Sequence, residues 1–270
     1  MNNISIIGAS GFIGKNLCSY LVKINEIFEG FSRSIANQNL KIKIVNDYSE
    51  VPKSKYLIYL AEESRVRAVE SLGKSYIQNS LDSIRSIHNA TQAKIIYISS
   101  SLVYGPGSLT PWKASDDLNL DSIYARSKAA CEDYVLDNGG SVARLTNVYG
   151  PGMSKENVLS DILNQTDSSK GVILRNLYPI RDYVSIDDVV KCIHKIYIKD
   201  LNKIFNVGSG IPLSVKQLAE IILKAKNTPD ISITQTDLQP NESILVVDIE
   251  ETKKELEWCP ATEFNVQSVI

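Results

Sequence analysis

Histidine is nearly missing from this sequence. The 270 residues include two, His88 and His194, far apart in the chain. That scarcity excludes a zinc site built on histidines and a serine-hydrolase triad, since both need an imidazole beside the other reacting groups. Cysteine is almost as sparse: Cys18, Cys131, Cys192 and Cys259 are scattered and form no Cys-x-x-Cys pair. Isolated thiols of this kind fit a reduced, cytoplasmic protein, and no metal site is expected. No run approaches the roughly 20 apolar residues that cross a bilayer. From Met1 the chain enters a short apolar strand with no basic stretch before it, so neither a secretory leader nor a membrane partner is expected. The 29 basic residues against 31 acidic ones leave a net charge of −2, and no basic block stands out. Nucleic acid is therefore not expected as a partner.

What remains is a globular composition, 43% hydrophobic and 22% charged, in a chain long enough for one large domain or a domain with an attached lobe. Six short β-rich runs occur over 4–7, 27–31, 41–45, 56–60, 94–99 and 141–145. Helical patterns fall after the first run and over 75–91 and 124–136. The first of these carries Leu17, Leu21 and Ile24 as a core-facing stripe. Alternation of strand and helix predicts an α/β fold, a doubly wound parallel sheet with helices on both faces. After Pro151 the character changes. Helices are expected over 157–165, 187–197, 213–225 (capped by Ser214) and 249–257, with strands over 172–174 and 203–207. Residues 1–151 read as a dinucleotide-binding domain and 152–270 as a smaller, mainly substrate-binding lobe, with 181–207 returning to the first sheet.

Gly8-Ala9-Ser10-Gly11-Phe12-Ile13-Gly14 lies between the first strand and its helix. Glycines there allow a tight turn and close approach to a pyrophosphate, and the helix N-terminus offers free N–H groups to the anion. Gly8, Ser10, Gly11, Phe12, Ile13 and Gly14 are therefore candidate cofactor contacts. An acidic residue at the end of the second strand would favour NAD. This chain has Ser32-Arg33-Ser34 instead, a guanidinium with flanking hydroxyls that suits a 2′-phosphate, so NADP is preferred over NAD. Asp47 and Tyr48, after the third strand, are placed to reach the adenine ring.

Tyr124 and Lys128 are four residues apart, so on a helix they share one face. A lysine ammonium and an oxidised nicotinamide both favour the phenolate, which makes the tyrosine a proton donor or acceptor at neutral pH. The strand over 94–99 ends in Ser99-Ser100-Ser101-Leu102-Val103-Tyr104-Gly105, which brings hydroxyls to the edge where parallel sheets bind ligands.

Six ordered motifs carry a family resemblance: Gly8–Gly14, Ser99–Gly105, Tyr124 with Lys128, Arg144 followed by Asn147-Val148-Tyr149-Gly150-Pro151-Gly152, Arg181-Asp182-Tyr183-Val184 through Asp187-Asp188, and Phe205-Asn206-Val207-Gly208-Ser209-Gly210. Over nearly its whole length the chain resembles the extended short-chain dehydrogenases/reductases, in their nucleotide-sugar epimerase/dehydratase branch. The resemblance implies Ser100, Tyr124 and Lys128 as catalytic residues, with Lys128 on the nicotinamide ribose. It implies Leu60, Ala61 and Ser99 against the cofactor. It puts Ser101, Tyr124, Asn147, Arg175 and Arg181 toward a nucleotide-sugar substrate, and it allows a homodimer through the helical stripe Ile77, Leu81 and Ile84. The structural alternative for Arg181 is an ion pair with Asp182 or Asp187.

Departures from the family narrow the chemistry. The 4,6-dehydratases have an Asp-Glu pair where this chain has Ser101 and Leu102, and relatives that epimerise at C3 and C5 have a cysteine at Ser101. Both chemistries are disfavoured here. Reduction of a 4-keto-sugar nucleotide by NADPH is the leading expectation, NAD-dependent 4-epimerisation the alternative, and a non-catalytic dinucleotide sensor the remote one. An arginine usual around Gln239–Glu242 is missing, and the tail is short for the branch. Glu62 and Glu63 stand where the family has small residues; two acids near a pyrophosphate would repel it, so both are expected to point away.

Overall fold

The computed structural model describes residues 2–107, 110–168, 170–238, 243–261 and 263–269. The first half builds β1 (Asn2–Ile7), α1 (Phe12–Lys23), β2 (Phe28–Ser32), β3 (Ile42–Ile44), β4 (Ser54–Tyr59), α2 (Val66–Leu72), α3 (Ser75–Thr91), β5 (Lys94–Ser100), α4 (Ile123–Asp137) and β6 (Ser141–Leu145). There follow β7 (Asn147–Tyr149), α5 (Val158–Leu163), β8 (Val172–Leu174), β9 (Ile180–Ser185), α6 (Ile186–Lys199), β10 (Ile204–Val207), β11 (Pro212–Ser214), α7 (Val215–Ala225), β12 (Ile233–Gln235), β13 (Ile244–Leu245) and α8 (Glu250–Leu256).

Seven strands form one parallel sheet in the order β10-β6-β5-β4-β1-β2-β3. This is a Rossmann-type arrangement, and both faces are covered. Alternate β1 residues separate accordingly. Ile4 and Ile6 join the cluster holding Leu17 and Leu21 of α1 and Val189, Ile193 and Ile196 of α6. Ile7 joins the cluster holding Ile84 and Ile87 of α3 and Cys131 and Val135 of α4.

Several expected bounds shift for local reasons. The second strand begins at Phe28, because Ile27 is 66% exposed and lies outside the pleat. Ile24 is the residue just past α1, with φ −93° and ψ 7°; it leaves the helical stripe and is exposed, so Leu17, Cys18 and Leu21 make the core face. Asn157 precedes α5 as its cap, its side chain accepting from the Ser160 N–H. Ser214 caps α7, and Gln217 returns the bond to the Ser214 N–H.

The second lobe holds a small sheet in which β9 pairs with β7, β11 and β13, and a separate β8–β12 pair. Its core joins Leu159 and Ile162 of α5 to Leu218, Ile222 and Leu223 of α7. Within 181–207, α6 and β10 rejoin the large sheet while β9 stays in the small one. The reason is register: Asn147, Val148 and Tyr149 pair with Tyr183, Val184 and Ser185, which draws the chain out of the first sheet immediately after β6.

Candidate active site

Candidates of the first half lie where the parallel strands end, Gly8 after β1, Ser32 at the end of β2, Leu60 after β4 and Ser100 at the end of β5. Gly8 stands at φ +82°, and a Cβ there would lie 2.9 Å from the Leu60 backbone. At Gly14 a Cβ would come within 2.3 Å of the Gly8 carbonyl oxygen. Both positions therefore demand glycine, and the turn is pressed against the loop that follows β4. Gly11 is exposed and caps α1 without a side chain, leaving the first-turn N–H groups of a 12-residue helix without side-chain acceptors. Phe12 and Ile13 are half-buried at that turn. This donor set fits a dinucleotide pyrophosphate.

At the end of β2 the Ser32 hydroxyl is buried, 2.7 Å from the Ser10 hydroxyl, and accepts from the backbone N–H groups of Ser34 and Ile35. Ser32 thus shapes the turn that presents Arg33. The Arg33 guanidinium is exposed and lies over the Tyr48 ring at 5.1 Å. Asp47 accepts from the Ser49 N–H at 2.7 Å. That bond, aided by nearby Arg33, holds its carboxyl below the usual range. Asp47 thus works as a cap on the turn, while Tyr48 forms a platform under Arg33.

Tyr124 and Lys128 are buried on one face of α4, and the Lys128 Nζ lies 5.8 Å from the Tyr124 ring centroid. Ser122 caps this helix through the Ala125 N–H, and the Glu70 carboxylate accepts the Tyr124 N–H at 3.1 Å. Lys128 also donates to the Ile98 carbonyl at 3.2 Å, which ties it to β5 two residues before Ser100. The Ser100 oxygen accepts from the Leu102 N–H, leaving its own proton for a ligand oxygen. Ser101 is buried and Leu102 exposed.

Glu62 departs from expectation. Its side chain turns inward and accepts from Lys128 at 2.5 Å and from the Tyr97 hydroxyl at 2.6 Å. The Lys128 and Glu62 side chains are 8% and 6% exposed. Burial alone would lower the Lys128 pKa; the Glu62 carboxylate, with Tyr124, outweighs it, so the net direction is upward. The inward turn has a plain cause, because a buried ammonium needs a counter-charge. Glu63 does point away, to Arg65 at 2.9 Å.

Behind the site lies a second buried pair that motif reading passed over. Arg144 holds Glu132 with bonds from Nε and Nη2, the latter at 2.6 Å, and donates to the Tyr104 hydroxyl at 2.8 Å. Tyr104 donates to Asn206 and stacks on Trp112. The Ser99 hydroxyl donates to Glu132, so this side chain belongs to the network. The signal was available: Arg144 and Asn206 sit inside two of the ordered motifs, and Glu132 follows Lys128 by one helical turn.

In the second lobe, exposed Asn147 donates to the Asp182 carbonyl at 3.0 Å. Among the described residues Arg181 forms no ion pair with Asp182 or Asp187. Its guanidinium donates to the Ile180 and Ser243 carbonyls and to the Ser243 hydroxyl, and burial lowers its pKa. Asp182 turns the other way, accepting from the Ser209 and Gly210 N–H groups. Arg175 is exposed. Gln239–Glu242, where an arginine was expected and is missing, lies outside the described residues. In the helical stripe Ile77, Leu81 and Ile84, Ile84 is fully buried against the sheet, Leu81 packs on the same cluster and Ile77 is half-buried. Among the described residues no cluster of metal-ligating side chains occurs, and no helix is long and apolar enough to cross a membrane.

Three known proteins show what the chain is similar to. The dTDP-4-dehydro-6-deoxyglucose reductase of Escherichia coli is 26% identical over 298 residues, covering 96% of this chain and 93% of that protein. A solved UDP-N-acetylglucosamine 4-epimerase from Methanobrevibacter ruminantium M1 superposes with TM-score 0.84 at 23% identity, covering 99% of this chain and 95% of the other. RMD from Pseudomonas aeruginosa, solved with NADPH, superposes with TM-score 0.83 at 19% identity, covering 99% and 96%. The family model described as "NAD dependent epimerase/dehydratase family" matches residues 4–208, and the chain belongs to that family.

Proposed function

We propose that this protein transfers hydride between a nicotinamide dinucleotide and a carbon of a nucleotide-activated sugar, with Tyr124 exchanging the accompanying proton. The observation that carries the reading is the joint burial of Tyr124 and Lys128 on α4, tied through Ile98 to the strand that ends at Ser100. Family membership supports the class, an NAD(P)-dependent oxidoreductase or epimerase acting on nucleotide sugars. A bound dinucleotide supplies or takes up the hydride. The free first turn of α1 and the glycines before it would hold the pyrophosphate. Ser100 would donate to the sugar carbonyl oxygen, and Tyr124 would deliver the proton to that oxygen as the carbonyl carbon is reduced. Lys128 would hold a ribose hydroxyl through the N–H that Glu62 and Ile98 leave free. Asn147 and Arg175 are exposed residues of the second lobe and would be available to the nucleotide portion. Arg181 has its guanidinium on backbone carbonyls and would serve mainly to shape that wall.

Within this class, reduction of a 4-keto-sugar is supported by Arg33, whose exposed guanidinium suits a 2′-phosphate, and by the full-length similarity to the E. coli reductase. The second reading is 4-epimerisation, in which Tyr124 takes the proton of the C4 hydroxyl and later returns it. It is supported by the fold of the solved 4-epimerase and by the stacking of Arg33 on Tyr48 beside Asp47, a packing role that needs no phosphate.

Native mass spectrometry of freshly purified protein, with denaturing release of bound nucleotide, separates the readings. Stoichiometric retained NAD supports epimerisation. Protein that arrives empty and takes up NADPH over NADH supports reduction, with a screen of 4-keto-sugar nucleotides to follow. Failure to bind any of the four dinucleotide forms would overturn both.

A further inference from the structure

Lys128 has three N–H donors, and the structure accounts for two. One goes to the Glu62 carboxylate at 2.5 Å and one to the Ile98 carbonyl at 3.2 Å. The same Glu62 oxygen, Oε2, also accepts from the Tyr97 hydroxyl, whose ring lies 5.1 Å from the ammonium, and the Cys131 thiol donates to the other oxygen at 3.6 Å. Glu62 belongs to the loop that begins at Leu60, the same backbone that Gly8 abuts. One short loop therefore touches both the pyrophosphate turn and the catalytic lysine. The other titratable groups influencing the pair are phenols and a thiol: Tyr59 on β4, Tyr76 on α3, Tyr97 on β5, and Tyr124 and Cys131 on α4. Glu132, also near Tyr97, is neutralised by Arg144. The Glu70 carboxylate on the Tyr124 N–H belongs to an exposed residue, so the buried charge beside Tyr124 is set by Glu62 and Lys128 together.

We infer that Glu62 is a positioning and charge-balancing residue that sets the relative affinity of this protein for oxidised and reduced dinucleotide. The inference rests on the proposed dinucleotide chemistry at Tyr124 and Lys128. The oxidised nicotinamide ring is a cation and the reduced ring is neutral. A bare lysine ammonium beside the ring disfavours the oxidised form, and a carboxylate paired to that ammonium removes the penalty. Glu62 also leaves Lys128 a single donor, so the ammonium can meet a ribose hydroxyl in one orientation.

The test is titration calorimetry of the full-length protein with the oxidised and reduced forms of whichever dinucleotide it binds. It compares wild type with Glu62→Gln and Glu62→Ala. The first variant keeps the shape and removes the charge; the second removes the side chain and admits water to the ammonium. In both, the dissociation constant of the oxidised form is expected to rise relative to the reduced form by about fivefold, as for one charge removed at this range in a partly screened site. A merely structural Glu62 would weaken both forms equally and leave the ratio unmoved, which overturns the inference. Loss of folding in both variants, read by circular dichroism, also overturns it, since Glu62 would then be only the partner of a buried ammonium. If wild type binds neither form, the proposed function itself fails. An unmoved ratio on a wild-type protein that does bind leaves that function standing.

Discussion

At the residue scale the site divides into groups that face a ligand and groups that hold them. The proposed chemistry puts Tyr124 in the first set. Replacing it with Phe removes the exchangeable proton and little else, so turnover is expected to fall on the order of 100-fold or more while dinucleotide affinity stays near wild type. Steady-state kinetics beside calorimetry checks this, and a Phe variant with full turnover would sink the acid/base role. Arg33 is the residue on which the proposed preference for NADPH rests. Arg33→Ala is expected to weaken NADPH by about tenfold, the loss of one charge-assisted contact, and to leave NADH within about twofold. Equal effects on both would assign the guanidinium to packing on Tyr48. Much of this set is legible from the chain alone, because glycine spacing and a Tyr-x-x-x-Lys helix repeat carry their geometry with them. Glu62 is not legible. Its partner lies on another helix, and repulsion from a pyrophosphate is a weaker force than the demand of a buried ammonium for a counter-charge.

At the element scale, α4 bears the most on the site. Its buried face carries Tyr124, Lys128 and Glu132 in succession, and Glu132 anchors the helix to β6 through Arg144. Breaking that pair by Glu132→Ala leaves a buried guanidinium without its carboxylate, for an expected loss of about 3–5 kcal/mol. Urea unfolding measures it, and a loss under about 1 kcal/mol would mean that Tyr104 and the Ala114 carbonyl suffice to satisfy Arg144. Ser214→Ala tests a smaller device. It removes one half of a capping box from α7 and should cost about 1 kcal/mol without changing dinucleotide affinity, because α7 packs in the second lobe. Long periodic helices such as Ser75–Thr91 are legible in the sequence. The three-residue strands β7 and β11 are not, since their existence depends on partners in β9 that lie far along the chain and not on any run of their own.

At the scale of the whole molecule, the large sheet is completed from both halves of the chain. α6 covers α1 and the β1 face with Val189, Ile193 and Ile196, and β10 occupies the edge beside β6. A fragment ending at residue 151 therefore exposes one apolar face of its sheet. It is expected to lack a cooperative thermal transition and to bind a hydrophobic dye, whereas the full chain melts as one unit. A cooperative melt of the fragment would show that the first half is self-sufficient.

The path of the chain has a consequence for how such proteins diversify. After β6 the backbone steps into the small sheet at β7, comes back through α6 and β10, and leaves again for β11. The second lobe is stitched to the first by several crossings, where a cassette would need one. Exchanging substrate preference between relatives by recombination at a single junction would cut strands away from their partners. New specificity in this architecture has to arise by point changes and loop edits in place, or by trading several separate segments at once.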